Sequence, residues 1–248
     1  MRAQLRAELL KQRSTTTSLG LLAGMLGLVL FAVLLHGVGL PAENLDRTPA
    51  QLMVFGRGEF LGALFAALLG AMSITGEVHH GTIRPTFLVT PRRGRVIAAK
   101  VWASTLIGAG FGLAASALAA GVGTAALRAR GIDVQLDGAA YALLLAGGAA
   151  AAALWAAIGV GLGAVVRNQV PTAVGICAWL LFVEGLLVGD VADVADVGRF
   201  APGALGEAIS GQGPGTLLAP ALATALLALY AIAAAAAGSL ATARRDVV

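Results

Sequence analysis

Glu77, His79 and His80 stand within four positions of one another in a sequence of 248 residues with only three histidines. Metal chelation from a helix needs ligands on one face, at i and i+4, whereas neighbouring helical residues point about 100° apart. His79 and His80 therefore read as solvated loop residues, His36 as an interfacial residue, and no metal site is expected. A second group that could do chemistry is Glu184, an acid inside the apolar run Leu181-Phe182-Val183-Glu184-Gly185. An ionised acid at mid-bilayer costs about 2.5–3.5 kcal/mol on insertion scales, so such residues face a cavity or a partner, or reach to the interface. Glu184 is accordingly a candidate for a substrate or ion path, with an interfacial role as the alternative.

Catalytic residues are expected to be absent. A phosphate-binding loop needs a lysine directly after glycine, and the only lysines, Lys11 and Lys100, follow other residues. The apolar runs hold no HExxH, no GxSxG and no clustered carboxylates. Cys177 is the single cysteine and lies in an apolar run, which excludes an intrachain disulfide and makes it a small packing residue.

The elements that must position these groups are membrane helices. The chain is 58% hydrophobic and 12% charged, against roughly half and a quarter in soluble domains. Its apolar residues fall in long blocks without the alternation of a barrel strand, and helices satisfy their own backbone in lipid. Six spans are predicted, near 18–38, 59–75, 97–127, 139–166, 170–188 and 216–240, in one domain covering 1–248. The second is the shortest, and it can extend back through Phe55 with Arg57 and Glu59 at the interface. Residues 1–14 are predicted to form a short interfacial helix, with Met1, Leu5 and Leu9 on one face. The apolar core that follows is longer than the roughly 7–15 residues of a signal peptide.

The net charge of +4 would suggest nucleic acid in a soluble protein. Here the basic residues flank the spans and read as topology signals, so no nucleic-acid partner is expected. With the N-terminus inside, twelve of the 17 basic residues fall in inner segments and five (Arg47, Arg57, Arg128, Arg130, Arg199) in outer ones. Both termini are thus predicted to be cytoplasmic. Arg supplies all but two of the basic residues, and with abundant Ala and Gly this fits a GC-rich bacterial genome and a plasma-membrane location. The outer segment 189–215, with Phe200, Leu205 and Ile209 among Gly, Asp and Pro, has the composition for a short re-entrant or surface helix.

The connection between the second and third spans carries the most local information. Thr82 can cap a short helix in which Pro85 occupies the third position, where its missing N–H leaves no bond unmade. That helix must stop by Val89, because Pro91 pushes Thr90 out of the helical region. The acid, the Gly-Thr cap, the apolar helix, Pro-Arg and Ala-Lys in this order resemble the membrane subunits of ABC-2 type transporters. The matching residues are Glu77, Gly81, Thr82, Ile83, Leu88, Pro91, Arg92, Arg93, Ala99 and Lys100, and Pro85 departs from the helix former expected there.

The resemblance implies an all-α membrane protein of six spans with cytoplasmic termini, acting as the permease subunit of an ATP-driven exporter. It makes the short helix a coupling helix that docks on a separate ATP-binding subunit, through Glu77, Gly81, Thr82, Ile83, Arg84, Phe87, Leu88, Pro91 and Arg92. ATP and magnesium would be held by that partner, present in two copies, and a second permease subunit, identical or not, would complete the assembly. The alternatives are a secondary transporter, which needs ionisable groups at mid-membrane, and an integral membrane enzyme.

Overall fold

A computed structural model of the chain describes residues 2–89, 92–188, 195–213 and 217–244; the side chains of Arg2, Arg84, Phe87, Val89, Leu187, Val188, Ala195 and Asp196 lie outside the description. Met1, Thr90 and Pro91, named above, are likewise outside it. The elements in chain order are α1 (Arg2–Ser14), α2 (Thr16–Gly39), α3 (Ala42–Leu45), α4 (Thr48–Phe55), α5 (Arg57–His79), α6 (Ile83–Val89) and α7 (Arg93–Ala129). They continue with α8 (Gly138–Val166), α9 (Gln169–Ala178), a π-helical turn (Trp179–Val183), α10 (Glu184–Val188), α11 (Ala195–Gly198), α12 (Pro202–Ile209) and α13 (Pro220–Arg244).

Six helical segments are long and apolar enough to cross a membrane: Thr16–Gly39, Thr48–His79, Arg93–Ala129, Gly138–Val166, Gln169–Leu186 and Pro220–Arg244. Two differ from the sequence expectation, and the second span takes the backward extension through Phe55 that the sequence allowed. The second runs on through α4, because Gly56 keeps helical dihedrals and its N–H still reaches the Leu52 carbonyl at 2.7 Å. The third extends to 37 residues, about 55 Å at 1.5 Å per residue, well beyond the hydrocarbon thickness. The sixth begins at Pro220, whose fixed φ suits a first helical position.

Helices α5, α7 and α8 form the centre, and small residues let their backbones touch. A Cβ on Gly70 would lie 2.0 Å from the Ala156 carbonyl oxygen, and one on Gly159 2.0 Å from that of Ala67. Bare glycines on both helices thus allow the α5–α8 contact, which dispersion between close backbones stabilises in lipid. Gly108, Gly112 and Gly163 sit in similar contacts, whereas Gly20 has nothing within 4 Å. Helix α2 is peripheral, turning Leu30, Phe31, Leu34 and Leu35 outward.

Buried Gln51 fastens the segment after α7. Its amide nitrogen donates to the carbonyls of Leu45 and Asp133, at 2.9 and 2.8 Å, and its oxygen accepts from the Gln135 N–H at 2.8 Å. Every polar group of that side chain is used, as burial requires. The chain start, α6 and the end of α13 share one end of the bundle: Lys11 reaches Glu77, and Arg93 Nη1 donates to the Thr242 carbonyl at 3.1 Å. The segment 195–213 lies at the other, far end with Arg57.

Candidate functional site

Helix α6 emerges where α5 ends. The His80 N–H returns to the Gly76 carbonyl at 3.0 Å, and Gly81 then takes φ +69°, a left-handed conformation that glycine adopts without a Cβ penalty. The expected short helix follows at Ile83–Val89. The Thr82 hydroxyl donates back to the Glu77 carbonyl at 3.4 Å, and Thr86 to the Thr82 carbonyl at 3.1 Å. Ile83 is buried against Ile74, Val96, Ile97 and Ala164. It therefore anchors α6 to its own bundle, which corrects the expectation that it faces a partner. Leu88, by contrast, is 83% exposed. Arg92 and Arg95, which follow in sequence, are exposed too. Pro91 is undescribed, as are the side chains of Arg84 and Phe87.

Glu77 is also placed differently from expectation. It belongs to a four-membered charge cluster with Glu8 and Lys11 of α1 and Lys100 of α7. Lys100 is fully buried, and its ammonium group lies 2.9 Å from Glu8 Oε2, 2.9 Å from Glu77 Oε1 and 3.0 Å from the Ser73 carbonyl oxygen. Two of its three donors form hydrogen bonds, to Glu8 and to Ser73, and Glu77 adds an ion pair. Lys11, half exposed, donates to Glu77 Oε1 at 2.9 Å and lies 3.4 Å from Glu8 Oε1. Burial lowers the Lys11 pKa, but the Glu77 hydrogen bond and the charges of Glu8 and Glu77 outweigh it, and the net shift is upward. Gln12 Nε2 adds a bond to Ser104 Oγ at 2.9 Å, both residues buried.

α1 therefore presents its Glu8–Gln12 face to the bundle, with Leu10 68% exposed. Leu5 and Leu9, expected on one apolar face, are both half-buried. A purely apolar criterion missed the polar face; Glu8 and Gln12 at i, i+4, with Lys100 about two turns into α7, were the available signal. A cleft of about 470 Å³ opens beside the cluster, lined by Lys11, Gln12, Leu21, Met72, Glu77 and Gln169.

At the far end a second cleft, of about 590 Å³, is lined by Arg57, Phe60, Leu180, Glu184, Glu207 and Gln212. Glu184 is buried, and its Oε1 accepts from Trp179 Nε1 at 2.5 Å and from the Gly203 N–H at 2.8 Å. Gly203 lies in the first turn of α12, where N–H groups lack intrahelical partners and the helix dipole favours an anion. The π-turn just before Glu184 widens the helix there, a feature that recurs at functional sites. Glu59 is 3% exposed, with Gln212 Nε2 3.4 Å from its Oε2. It is thus buried under α12, correcting the interfacial placement; Gly206 leaves the space, since a Cβ there would stand 2.5 Å from Glu59 Oε1.

Between the clefts, Leu61, Phe65, Leu68 and Met72 form a half-exposed stripe along an otherwise buried α5. His79 and His80 stack edge to face at 5.1 Å, and His80 Nδ1 lies 2.8 Å from the Gly76 carbonyl. Among the described residues no three His, Cys, Asp or Glu side chains group as metal ligands.

A family model described as ABC-2 family transporter protein matches residues 41–203, more than half of the chain. No curated protein matches the sequence. With the six membrane-length helices, the match makes this a multi-pass membrane protein of a transport system.

Proposed function

We propose that this chain, which belongs to the ABC-2 transporter family, is the permease subunit of an exporter whose ATP is hydrolysed by a separate subunit. The observation that carries the reading is α6, a helix held to the bundle by buried Ile83 while Leu88 stands 83% exposed. An outward apolar side chain on a helix outside the spans, with basic residues close to it in sequence, suits a groove on an acidic-rimmed protein. Gly81, Thr82 and Pro91 would set the direction of α6, with Arg84, Phe87, Leu88 and Arg92 available to the partner. Glu77 would act by holding the root of α6.

In this reading the end with the termini is cytoplasmic, in a bacterial plasma membrane, as the basic residues there favour. Two such subunits, or this one and a relative, pair with two ATP-binding subunits that hold ATP and magnesium. The two clefts share α5 and the fifth span, so the stripe from Leu61 to Met72 is the candidate lining of the path. ATP-driven closure of the partners would move α6 and alternate access between the clefts.

Copurification tests this. Purified from its own host in detergent, the tagged chain should retain an ATP-binding protein stoichiometrically; its absence would refute the reading. Buried Glu59 and Glu184 favour one rival, a secondary transporter. Gradient-driven transport without ATP, abolished by Glu184→Gln, would establish it.

A further inference from the structure

The charge cluster has more ties than packing α1 would need. Lys100, itself on α7, ties two other elements: it donates to Glu8 of α1 and to the Ser73 carbonyl of α5, and pairs with Glu77 one turn further along α5. Glu77 in turn accepts from Lys11 of α1. These contacts lie at the root of α6, since α5 ends at His79 and α7 begins at Arg93. Gln12 and Ser104 join α1 to α7 a turn further on. Lys100 is fully buried and Glu8 and Glu77 nearly so, so salt screens their pairs much less than surface ones.

α1 is also coupled forward. Only Thr15 separates it from α2; the Thr15 N–H bonds to the Lys11 carbonyl at 3.1 Å and its hydroxyl lies 2.9 Å from that of Ser18. A displacement of α1 must therefore be passed to α2, the span that flanks the cleft beside Leu21 and Met72.

We propose that Lys100 is the positioning residue of a rigid clasp which makes α1, the base of α5 and the start of α7 move as one piece with α6, and so carries a push on α6 to α2. The proposal rests on the docking role given to α6, and it names the internal route by which that docking reaches a span. The four side chains are neutral as a set, two cations with two anions, so the clasp holds its parts without drawing counter-ions into the cleft.

The test uses the full chain with Cys177→Ser and spin labels on introduced cysteines. In the chain alone, labels at Leu10 and Leu88, both exposed, should give one narrow distance distribution. Lys100→Met and Glu8→Gln should each widen it at least twofold. In the complex with the ATP-binding subunit, labels at Leu19 and Val170, also exposed, should change separation when ATP and vanadate are added. In Lys100→Met the subunit should still bind, because Leu88 is untouched, while that change is lost. A merely structural role would not separate binding from movement in this way. The clasp is overturned if the Leu10–Leu88 distribution stays narrow in both variants, or if the Lys100→Met complex shows the full Leu19–Val170 change. Should the wild-type chain retain no ATP-binding subunit, the docking reading fails while the first measurement still decides the clasp. Should Lys100→Met not purify as a single species, Glu8→Gln takes its place in both measurements.

Discussion

Glu77 and Lys100 meet across the root of α6, carboxylate oxygen 2.9 Å from ammonium nitrogen, with the lysine fully buried. Removing one partner of a buried pair strands the other, at a cost of about 3–5 kcal/mol. Lys100→Met leaves Glu8 and Glu77 facing each other, so its melting temperature in detergent should fall sharply. Lys11 is half exposed, and Lys11→Met should cost no more than about 1 kcal/mol. Equal losses for the two variants would contradict the burial-based ranking.

The Lys11 contribution has a defined pH window. Its folded pKa is raised above 10.5, burial opposing and the Glu77 bond and neighbouring charges prevailing. A raised lysine contributes fully below its unfolded value and loses its contribution only as pH climbs through the folded one. The stability difference between wild type and Lys11→Met should therefore be the same at pH 6 and pH 9. A difference that shrinks across that range would show that Lys11 is not held as described.

Helix packing gives a contrasting pair of glycines. At Gly70 a Cβ would press on the Ala156 backbone, which cannot rotate away, whereas Gly110 has nothing within 4 Å. Gly70→Ala should lower stability by about 1–3 kcal/mol or more through overpacking. Gly110→Ala should be neutral or stabilising by up to about 1 kcal/mol, from reduced backbone entropy. Thermal melts of the two variants in the same detergent would check this.

Most of the architecture was legible in the sequence, because six blocks of apolar residues admit no other solution in lipid. The short helix was legible too, since Gly81 and Pro91 bracket it. What remained hidden were polar residues buried by tertiary contact. Glu8, Gln12 and Lys100 drew no expectation of burial, because their partners lie on other helices. Glu59 read as interfacial because its burial depends on α12, folded back from well over a hundred residues later. Ile83 misled for a similar reason: its apolar side chain suited a partner's groove and its own bundle equally well.

At the far end, Glu184 ties Trp179 to the first turn of α12. Glu184→Gln keeps an acceptor for both donors, while Glu184→Ala leaves them without one. Amide hydrogen exchange over Pro202–Ile209 should be nearly unchanged in the first and clearly faster in the second. Fast exchange in both would mean that the carboxylate charge at the helix N-terminus, beyond the hydrogen bonds, holds α12.

Orientation can be read in intact cells. In a Cys177→Ser background, cysteines at Asp133 and Val197, exposed toward the far end, should react with a membrane-impermeant thiol reagent. A cysteine at Thr86 should stay protected until the cells are opened. Labelling of Thr86 from outside would invert the topology and remove α6 from any cytoplasmic partner.

The central claim is that α6 docks on an ATP-binding subunit through its outward face, and Leu88→Asp tests it most directly. A charge placed in a packed interface costs about 2 kcal/mol or more, roughly a thirtyfold loss of affinity, while the exposed position spares the fold. In a detergent pull-down the wild-type chain and a His79→Ala, His80→Ala variant should retain the ATP-binding subunit, and Leu88→Asp should lose it while remaining monodisperse. Undiminished retention by Leu88→Asp would contradict the account.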